Sequence, residues 1–183
     1  MLLKKPFYYI RHGQTDWNLE RRYQGSKDIP LNKTGIIQAQ AAVDSLKNCG
    51  ITHIFSSPLR RARATADILN AALGLPLTEI NGLQECNFGV LEGTLRSGKS
   101  FSDKWRAGYT PDKAETYVEF QQRVFAAFDQ VLSHDSVPLV VAHGAVFWPI
   151  HAQTGITLEG TLPNATAIRV FPSTTADSGW DFS

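Results

Sequence analysis

Two histidines that are each followed by glycine could carry chemistry in this chain. His12 stands directly after Arg11, and His143 lies much later in the sequence. A lone histidine is more often a satisfied, partly buried side chain than a catalytic one. The context changes this interpretation, because residues 56–63 hold a second basic cluster with three arginines. Such a set favours an anion, and phosphate suits it because a guanidinium donates two parallel hydrogen bonds to phosphoryl oxygens.

The strands of a parallel sheet would bring both histidines together. Residues 7–10 are a short apolar run that predicts a buried strand, which ends where Arg11 and His12 begin. Residues 137–142 are apolar enough for a central parallel strand, and His143 follows them. Because open α/β sheets bind ligands at the carboxyl ends of their strands, we expect both histidines at one sheet edge.

The rest of the chain alternates between helical and strand patterns. Apolar residues at helical spacing predict four helices. The first lies between Asn32, a possible cap, and Gly50, and the second runs from Pro58 to Gly74. The third covers residues 118–132, and the fourth covers residues 145–153 despite Pro149. Further strands are predicted over residues 51–55, 77–80 and 165–171. Apart from the strand at residues 77–80, the stretch 75–114 is predicted to be a long loop. This alternation predicts an α/β three-layer sandwich, a central, mostly parallel sheet flanked by helices, as a single domain over residues 1–183.

Composition argues against several classes of partner. The formal net charge is +1, so no overall field would attract nucleic acid or an anionic membrane. Cys49 and Cys86 are too few for a disulfide framework and lack the spacing of a zinc site. No apolar stretch has the length of a signal peptide or a membrane span. We therefore expect a cytoplasmic protein that binds neither nucleic acid nor membranes.

Four segments, in the right order, resemble the histidine phosphatase superfamily, which includes the cofactor-dependent phosphoglycerate mutases. They are Arg11-His12-Gly13-Gln14-Thr15 with Asn18 and residues 23–25 and 28–32, then residues 57–66, then residues 83–85 with 88–89 and 91–93, and finally residues 140–144. Each segment is a weak signal alone, whereas four in order are a strong one. The resemblance runs from about residue 7 to residue 144 and implies a phosphoglycerate mutase-like fold.

The resemblance also implies a role for each matching residue. His12 would attack phosphorus and become phosphorylated, while Glu85 would protonate the leaving oxygen. Arg11, Arg61 and His143 would bind the transferring phosphoryl group. The remaining substrate-binding residues would be Asn18, Gln24, Gly25 and Gly144. No metal or other cofactor is expected, because arginines can stabilise the charge of the transferring group.

Several nearby charged residues are expected to have no part in the chemistry. The family pattern aligns Arg61, rather than Arg60, with the phosphate ligand. Arg60 and Arg63 are then predicted to be solvated helix residues, which is usual for a run of charges. Glu92 is predicted to be structural.

Residues 93–100, Gly-Thr-Leu-Arg-Ser-Gly-Lys-Ser, match the nucleotide-binding P-loop pattern. A P-loop requires a buried strand before it and a helix after it. Residues 87–92 make a poor central strand and residues 101–111 have weak helical periodicity, so we disfavour a nucleoside triphosphatase. Cysteine and aspartate phosphatases are excluded, because neither cysteine is followed six positions later by arginine and no two aspartates stand one residue apart.

Within the family, hydrolysis of a small phosphorylated metabolite is the predicted reaction. Mutases typically carry a longer basic insertion between the glutamate and the second His-Gly pair, and this chain does not. Mutase-type phosphoryl transfer and a phosphoprotein-binding module remain the alternatives. Four aromatic residues could line an apolar or ring-shaped leaving group, although such residues are more often core: Trp105, Tyr109, Phe147 and Trp148. The sequence determines neither the leaving group nor the oligomeric state.

Overall fold

A six-stranded sheet forms the centre of the computed structural model, which describes residues 2–96, 101–155, 162–174 and 179–183. The strands are β1 (Phe7–Arg11), β2 (His53–Ser56), β3 (Leu77–Glu79), β4 (Pro138–Ala142), β5 (Ala167–Pro172) and β6 (Trp180–Phe182). Their order across the sheet is β3-β2-β4-β1-β5-β6. The first four strands pair in parallel, whereas β5 and β6 add antiparallel pairs at one side. The predicted mostly parallel α/β sheet is confirmed.

Helices cover both faces of this sheet. The helices are α1 (Asp16–Leu19), α2 (Lys33–Leu46), α3 (Arg60–Leu73), α4 (Phe101–Arg106), α5 (Tyr117–Ser133) and α6 (Phe147–Thr154). Successive strand side chains point to opposite faces. In β4, Leu139 and Val141 therefore lie in one core with residues of α2 and α3, whereas Val140 and Ala142 lie in another with residues of α5 and α6. The predicted three-layer arrangement is confirmed.

The boundaries of two helices follow from their sequence signals. The Asn32 side chain caps α2 by accepting a hydrogen bond from the backbone N–H of Gly35 at 2.9 Å. Gly74 ends α3 in the left-handed conformation with φ +63°, which favours glycine. α3 begins at Arg60, two residues later than the start predicted at Pro58.

The prediction of a long loop over residues 75–114 is wrong in one place. Residues Phe101–Arg106 form α4, whose six residues are too few for helical periodicity to be visible in the sequence. This helix buries Trp105 completely, with its ring centre 5.2 Å from that of Phe120. Trp105 and Phe147 are thus core residues, as large aromatic side chains usually are.

The P-loop match does not have the structure that a P-loop requires. The element before the match is a 3₁₀ helix, Gly89–Leu91, and not a buried strand. A helix does follow the match, because α4 begins at Phe101. Residues 97–100 of the match lie outside the described residues. Across the described ranges, no helix combines the length and apolar character needed to cross a membrane.

Candidate active site

The register between β1 and β4 brings His12 and His143 together. Arg11 pairs with Ala142 across the two parallel strands, and the N–H of His12 donates to the carbonyl of Ala142 at 3.0 Å. The centres of the two imidazole rings lie 5.2 Å apart, with the rings tilted by 59°. Both histidines thus lie at one sheet edge, as their positions after the two apolar runs predict.

A hydrogen bond to its own loop orients His12. Its Nδ1 atom lies 2.7 Å from the carbonyl oxygen of Gly13. A carbonyl oxygen can only accept, so Nδ1 carries the proton and Nε2 keeps a free lone pair. Burial lowers the pKa of His12 well below its ordinary value, and the positive charges of Arg61 and Arg11 lower it further. His12 is therefore a neutral imidazole with Nε2 available as a nucleophile.

Arg61 is a fully buried cation at the start of α3. Its Nη1 and Nη2 atoms donate to the carbonyls of Lys27 and Gly25 at 2.7 and 2.8 Å, which fixes the guanidinium plane. Within the described part of the chain, its buried Nε has no partner. Burial lowers the pKa of Arg61 to about 10, and the negative charge of Glu85 counteracts this. Arg61 remains a cation at neutral pH, and its Nε–H is available to a ligand.

Arg11 supplies a second guanidinium from the end of β1. Its Nη1 donates to the carbonyl of Leu162 at 2.9 Å, while its buried Nε lacks a partner among the described residues. A Cβ on Gly144 would lie 3.6 Å from both Cζ and Nε of Arg11, at ordinary contact distance, so Gly144 lies beside the guanidinium. Burial lowers the pKa of Arg11, and the charge of Glu85 opposes that effect.

His143 is held from two sides. Its Nε2 lies 2.8 Å from the hydroxyl of Ser57, and its backbone carbonyl accepts a hydrogen bond from the buried Tyr9 hydroxyl at 2.6 Å. Burial lowers the pKa of His143 well below its ordinary value, with further contributions from Arg61 and His12. Its Nδ1 is buried and has no partner in the described ranges. His143 is therefore neutral, and one ring nitrogen is unused.

Glu85 reaches the same sheet edge from an irregular segment. Its Oε1 accepts a hydrogen bond from the N–H of Cys86 at 3.1 Å. Its Oε2 accepts one from the N–H of Ala145 at 3.3 Å, two residues after His143. Among the described residues Glu85 has no ion pair, so it is not a loop carboxylate neutralised by an adjacent arginine. Each carboxyl oxygen keeps lone-pair capacity for a proton or a further donor.

The loop after His12 collects the other predicted binding residues. Asn18 occupies the N3 position of the capping box whose N-cap is Thr15, and the Thr15 hydroxyl lies 3.1 Å from Asn18 Oδ1 and 3.0 Å from Gln24 Oε1. Gly25 has φ +55°, and a Cβ there would lie 2.1 Å from an oxygen of Glu92. The turn at Gly25 is what directs its carbonyl to Arg61.

Sequence reasoning missed four supporting residues. Thr65 accepts from the N–H of Gly13 at 3.0 Å, and Asn164 donates to the carbonyl of His12 at 2.8 Å. Ser57 and Tyr9 hold His143 as described above. Ser57 and Thr65 lie within a segment that resembles the family, but nothing local signals their contacts. Tyr9 and Asn164 carry no signal at all.

The neighbouring charged residues lie as the sequence predicts. Arg60 is exposed, and Arg63 forms ion pairs with Asp67 and Glu79 on the outer face of α3. The Glu92 carboxylate accepts from the backbone N–H groups of residues 26 and 88, which is a structural role. The described residues contain no group of three or more His, Cys, Asp or Glu side chains that could hold a metal ion. A metal-free mechanism stays a prediction.

A family model supports the assignment that the motifs suggest. The model of the histidine phosphatase superfamily (branch 1) matches residues 7–168 of this chain. The chain belongs to this superfamily. Phosphatase or mutase chemistry is the class of activity that this membership supports.

Known members of the superfamily are similar over most of the chain. The probable phosphoglycerate mutase GpmB of Yersinia pestis (strain Pestoides F) is 40% identical over 147 residues, which cover 75% of this chain and 68% of that protein. The mycobacterial glucosyl-3-phosphoglycerate phosphatase in complex with VO3 has a TM-score of 0.80 at 26% identity, covering 98% of this chain and 97% of that one. The phosphoglycerate mutase from Thermus thermophilus has a TM-score of 0.73 at 28% identity, covering 90% of this chain and 92% of that one.

Proposed function

We propose that this chain is a metal-independent phosphomonoesterase that hydrolyses a small phosphorylated metabolite through a phosphohistidine on His12. Glu85 is the proton donor. Arg11, Arg61 and His143 hold the transferring phosphoryl group. The rest of the substrate pocket comprises Asn18, Gln24, Gly25 and Gly144.

One observation carries this proposal. Three nitrogen atoms are buried without hydrogen-bond partners among the described residues: Arg11 Nε, Arg61 Nε and His143 Nδ1. The charges of Arg11 and Arg61 lower the pKa of the nucleophilic His12, and the His143 ring lies 5.2 Å from the His12 ring. Buried polar atoms normally have partners, so a group of them beside a neutral histidine calls for an oxyanion. A phosphoryl group would satisfy all three and place its equatorial oxygens against fixed positive charge, which is the main requirement of phosphoryl transfer.

The first step transfers the phosphoryl group to the enzyme. The Nε2 lone pair of His12 forms a bond to phosphorus while the bond from phosphorus to the leaving oxygen breaks. Glu85 gives its proton to that oxygen, so the product departs as an alcohol and Glu85 becomes a carboxylate. The hydrogen bond from Nδ1 to Gly13 holds the ring in place as it acquires positive charge.

The second step returns the enzyme to its starting state. A water oxygen attacks phosphorus, and the Glu85 carboxylate takes one proton from that water. The bond from phosphorus to Nε2 breaks, inorganic phosphate leaves, and His12 is again a neutral imidazole. Glu85 is again protonated, so the cycle needs no other proton carrier.

Mutase-type transfer is the second candidate, because the relative that is 40% identical is named a probable phosphoglycerate mutase. In a mutase, a substrate hydroxyl rather than water accepts the phosphoryl group from His12. The similarity to a glucosyl-3-phosphoglycerate phosphatase favours water instead. Incubation of the enzyme with 3-phosphoglycerate, followed by ³¹P NMR, separates the two: inorganic phosphate marks hydrolysis, whereas isomerised phosphoglycerate marks a mutase.

The histidine mechanism is tested with p-nitrophenyl phosphate in the presence of a chelator. We expect hydrolysis without metal, and an acid-labile, base-stable phosphoprotein when the reaction is quenched during turnover. His12→Ala should abolish both, whereas His134→Ala, which removes an exposed histidine, should change neither. Unchanged hydrolysis by His12→Ala would overturn the proposal. A panel of phosphoglycerates, sugar phosphates and other phosphomonoesters would then rank substrates by kcat/KM.

A further inference from the structure

Glu85 lies on a segment that is not itself part of a strand or an α-helix. The segment runs between two 3₁₀ helices, Asn81–Leu83 and Gly89–Leu91, and has no strand or α-helix of its own. A carboxyl group that delivers a proton must lie within hydrogen-bond reach of the leaving oxygen. Something outside the segment must therefore hold its backbone.

Arg123, on α5, binds the backbone of this segment directly. Its Nη1 donates to the carbonyls of Gly82 and Gln84 at 3.0 and 2.8 Å, and its Nη2 lies 3.4 Å from the carbonyl of Glu85 itself. The guanidinium carbon lies 5.0 Å from the ring centre of Phe120, one turn earlier on α5 and fully buried. The planar guanidinium is thus fixed by its own helix while it holds three backbone carbonyls at and before Glu85.

Glu115 completes the arrangement from the other end of the segment. Its carboxylate accepts from Arg123 Nη2 at 2.6 Å and from Arg123 Nε at 3.3 Å. The same carboxylate accepts from the N–H of Asn87 at 2.8 Å, and the backbone N–H of Glu115 donates to the carbonyl of Asn87 at 3.1 Å. The Trp105 indole donates to the Glu115 carbonyl at 3.1 Å, which ties the pair to the core through α4.

We infer that the Arg123–Glu115 ion pair positions Glu85 for proton transfer, an inference that rests on the proposed function. The pair fixes the backbone on both sides of Glu85, at residues 82, 84, 85 and 87, and its hydrogen bonds go neither to His12 nor to the Glu85 carboxyl group. The pair is partly buried, with side-chain exposures of 27% and 17%, so water does not replace these contacts freely. Arg123 and Glu115 are positioning residues for the proton donor.

The dependence of rate on the leaving group tests this role. p-Nitrophenolate departs readily without a proton, whereas an alkyl alcohol requires one, so a misplaced proton donor harms alkyl phosphates selectively. The parameter to compare is kcat/KM, which covers the steps up to phosphorylation of His12. We expect Arg123→Met to lower kcat/KM for an alkyl phosphate such as glycerol 3-phosphate roughly 10- to 100-fold, less than the roughly 100- to 10,000-fold attributed to general acid catalysis, because the proton donor is displaced and not removed. For p-nitrophenyl phosphate the loss should stay within about threefold.

Two further variants keep the test informative if Arg123→Met does not fold. Arg123→Lys retains the charge but cannot reach several carbonyls and the Glu115 carboxylate at once. Glu115→Ala retains Arg123 but removes the carboxylate that accepts from the backbone N–H of Asn87. Each should show the same selective loss in smaller degree. Arg63→Met is the matched control, because it removes an arginine and two ion pairs on α3 without touching the Glu85 segment. This control should lower kcat/KM slightly and by the same factor for both substrates.

Glu85→Gln separates failure of this inference from failure of the proposed function. Suppose that Glu85→Gln shows the selective loss, whereas the Arg123 and Glu115 variants lower kcat/KM equally for both substrates. The positioning role is then overturned, while Glu85 remains the proton donor. If Glu85→Gln shows no selectivity, the proposed function itself is wrong. In the Glu85→Gln background, Arg123→Lys should cause no additional selective loss, because no proton donor remains to be positioned.

Discussion

The hydroxyl of Ser57 lies 2.8 Å from Nε2 of His143, and both side chains are completely buried. The Ser57 oxygen also accepts a hydrogen bond from the N–H of Leu59 at 3.3 Å, and the described residues offer its own hydroxyl proton no other acceptor than His143 Nε2. A neutral imidazole that accepts at Nε2 carries its proton on Nδ1. Ser57 thereby sets the tautomer in which His143 Nδ1 can donate to a phosphoryl oxygen.

Ser57→Ala should therefore impair phosphate binding through His143. Without this hydrogen bond the His143 ring is no longer held in one tautomer. If the transition state loses about 1.4 kcal/mol of stabilisation, kcat/KM falls tenfold. The matched control is Ser56→Ala, which removes a neighbouring buried hydroxyl that donates to the Ser57 carbonyl and does not contact His143. ¹⁵N NMR of His143 reports the tautomer directly. Equal losses in the two variants would contradict this role for Ser57.

The two buried histidines should make the fold sensitive to acid. Burial and nearby arginines hold the pKa values of His12 and His143 below the ordinary value of about 6.5, so the unfolded chain binds more protons than the folded chain once the pH falls below that value. Their contribution to stability is complete above about pH 6.5 and declines as the pH falls toward the folded pKa values. Each histidine can add a slope of up to about 1.4 kcal/mol per pH unit.

Urea unfolding at a series of pH values between about 7.5 and 5 measures this slope in the free energy of unfolding. His12→Asn should flatten the slope, whereas Thr34→Ala, at an exposed position without a titratable group, should leave it unchanged. The two rings are 5.2 Å apart and titrate together, so the slope belongs to the pair. A wild-type slope no steeper than that of His12→Asn would count against the buried neutral pair.

An oxyanion should stabilise the folded enzyme through Arg61. Its buried guanidinium, with a pKa lowered to about 10 and an Nε that has no partner among the described residues, gains a counter-charge when phosphate or vanadate binds. At a ligand concentration of 100 times Kd, the expected gain is about 2.7 kcal/mol. Thermal unfolding with and without orthovanadate measures it. Arg61→Met should lose this gain and the exposed neighbour variant Arg60→Met should keep it. Full stabilisation of Arg61→Met by vanadate would refute the assignment.

Gly35→Ala should be harmful, although alanine normally favours a helix over glycine by about 1 kcal/mol. A Cβ at Gly35 in α2 would lie 2.1 Å from the carbonyl oxygen of Gln14, which is backbone and cannot move aside cheaply. The displaced loop follows His12 directly, so we expect a lower Tm and a fall in kcat/KM of roughly tenfold or more. Thr34→Ala, at an exposed position of the same helix, is the control. If both variants match the wild type, the close approach is not functional.

Much of the fold is predictable because its signals are local. Asn32 caps α2 and Gly74 ends α3 through contacts within a few residues, which sequence patterns encode directly. α4 escapes prediction because its six residues are too few to show a period, and its helix depends on packing Trp105 into the core. Short elements that rely on distant partners leave no pattern in their own residues.

The position of the reactive groups is readable from the order of apolar runs along the chain. Apolar runs end at Arg11 and Ala142, and parallel strands bring their carboxyl ends to one edge, so His12 and His143 had to meet there. Tertiary structure alone decided which atoms of those groups are free to react. The partner of His143 Nε2 and the hydrogen bonds from Arg123 to the Glu85 segment depend on contacts of 2.8 to 3.4 Å. Hydrogen bonds require that accuracy, and between residues distant in sequence only the packed fold supplies it.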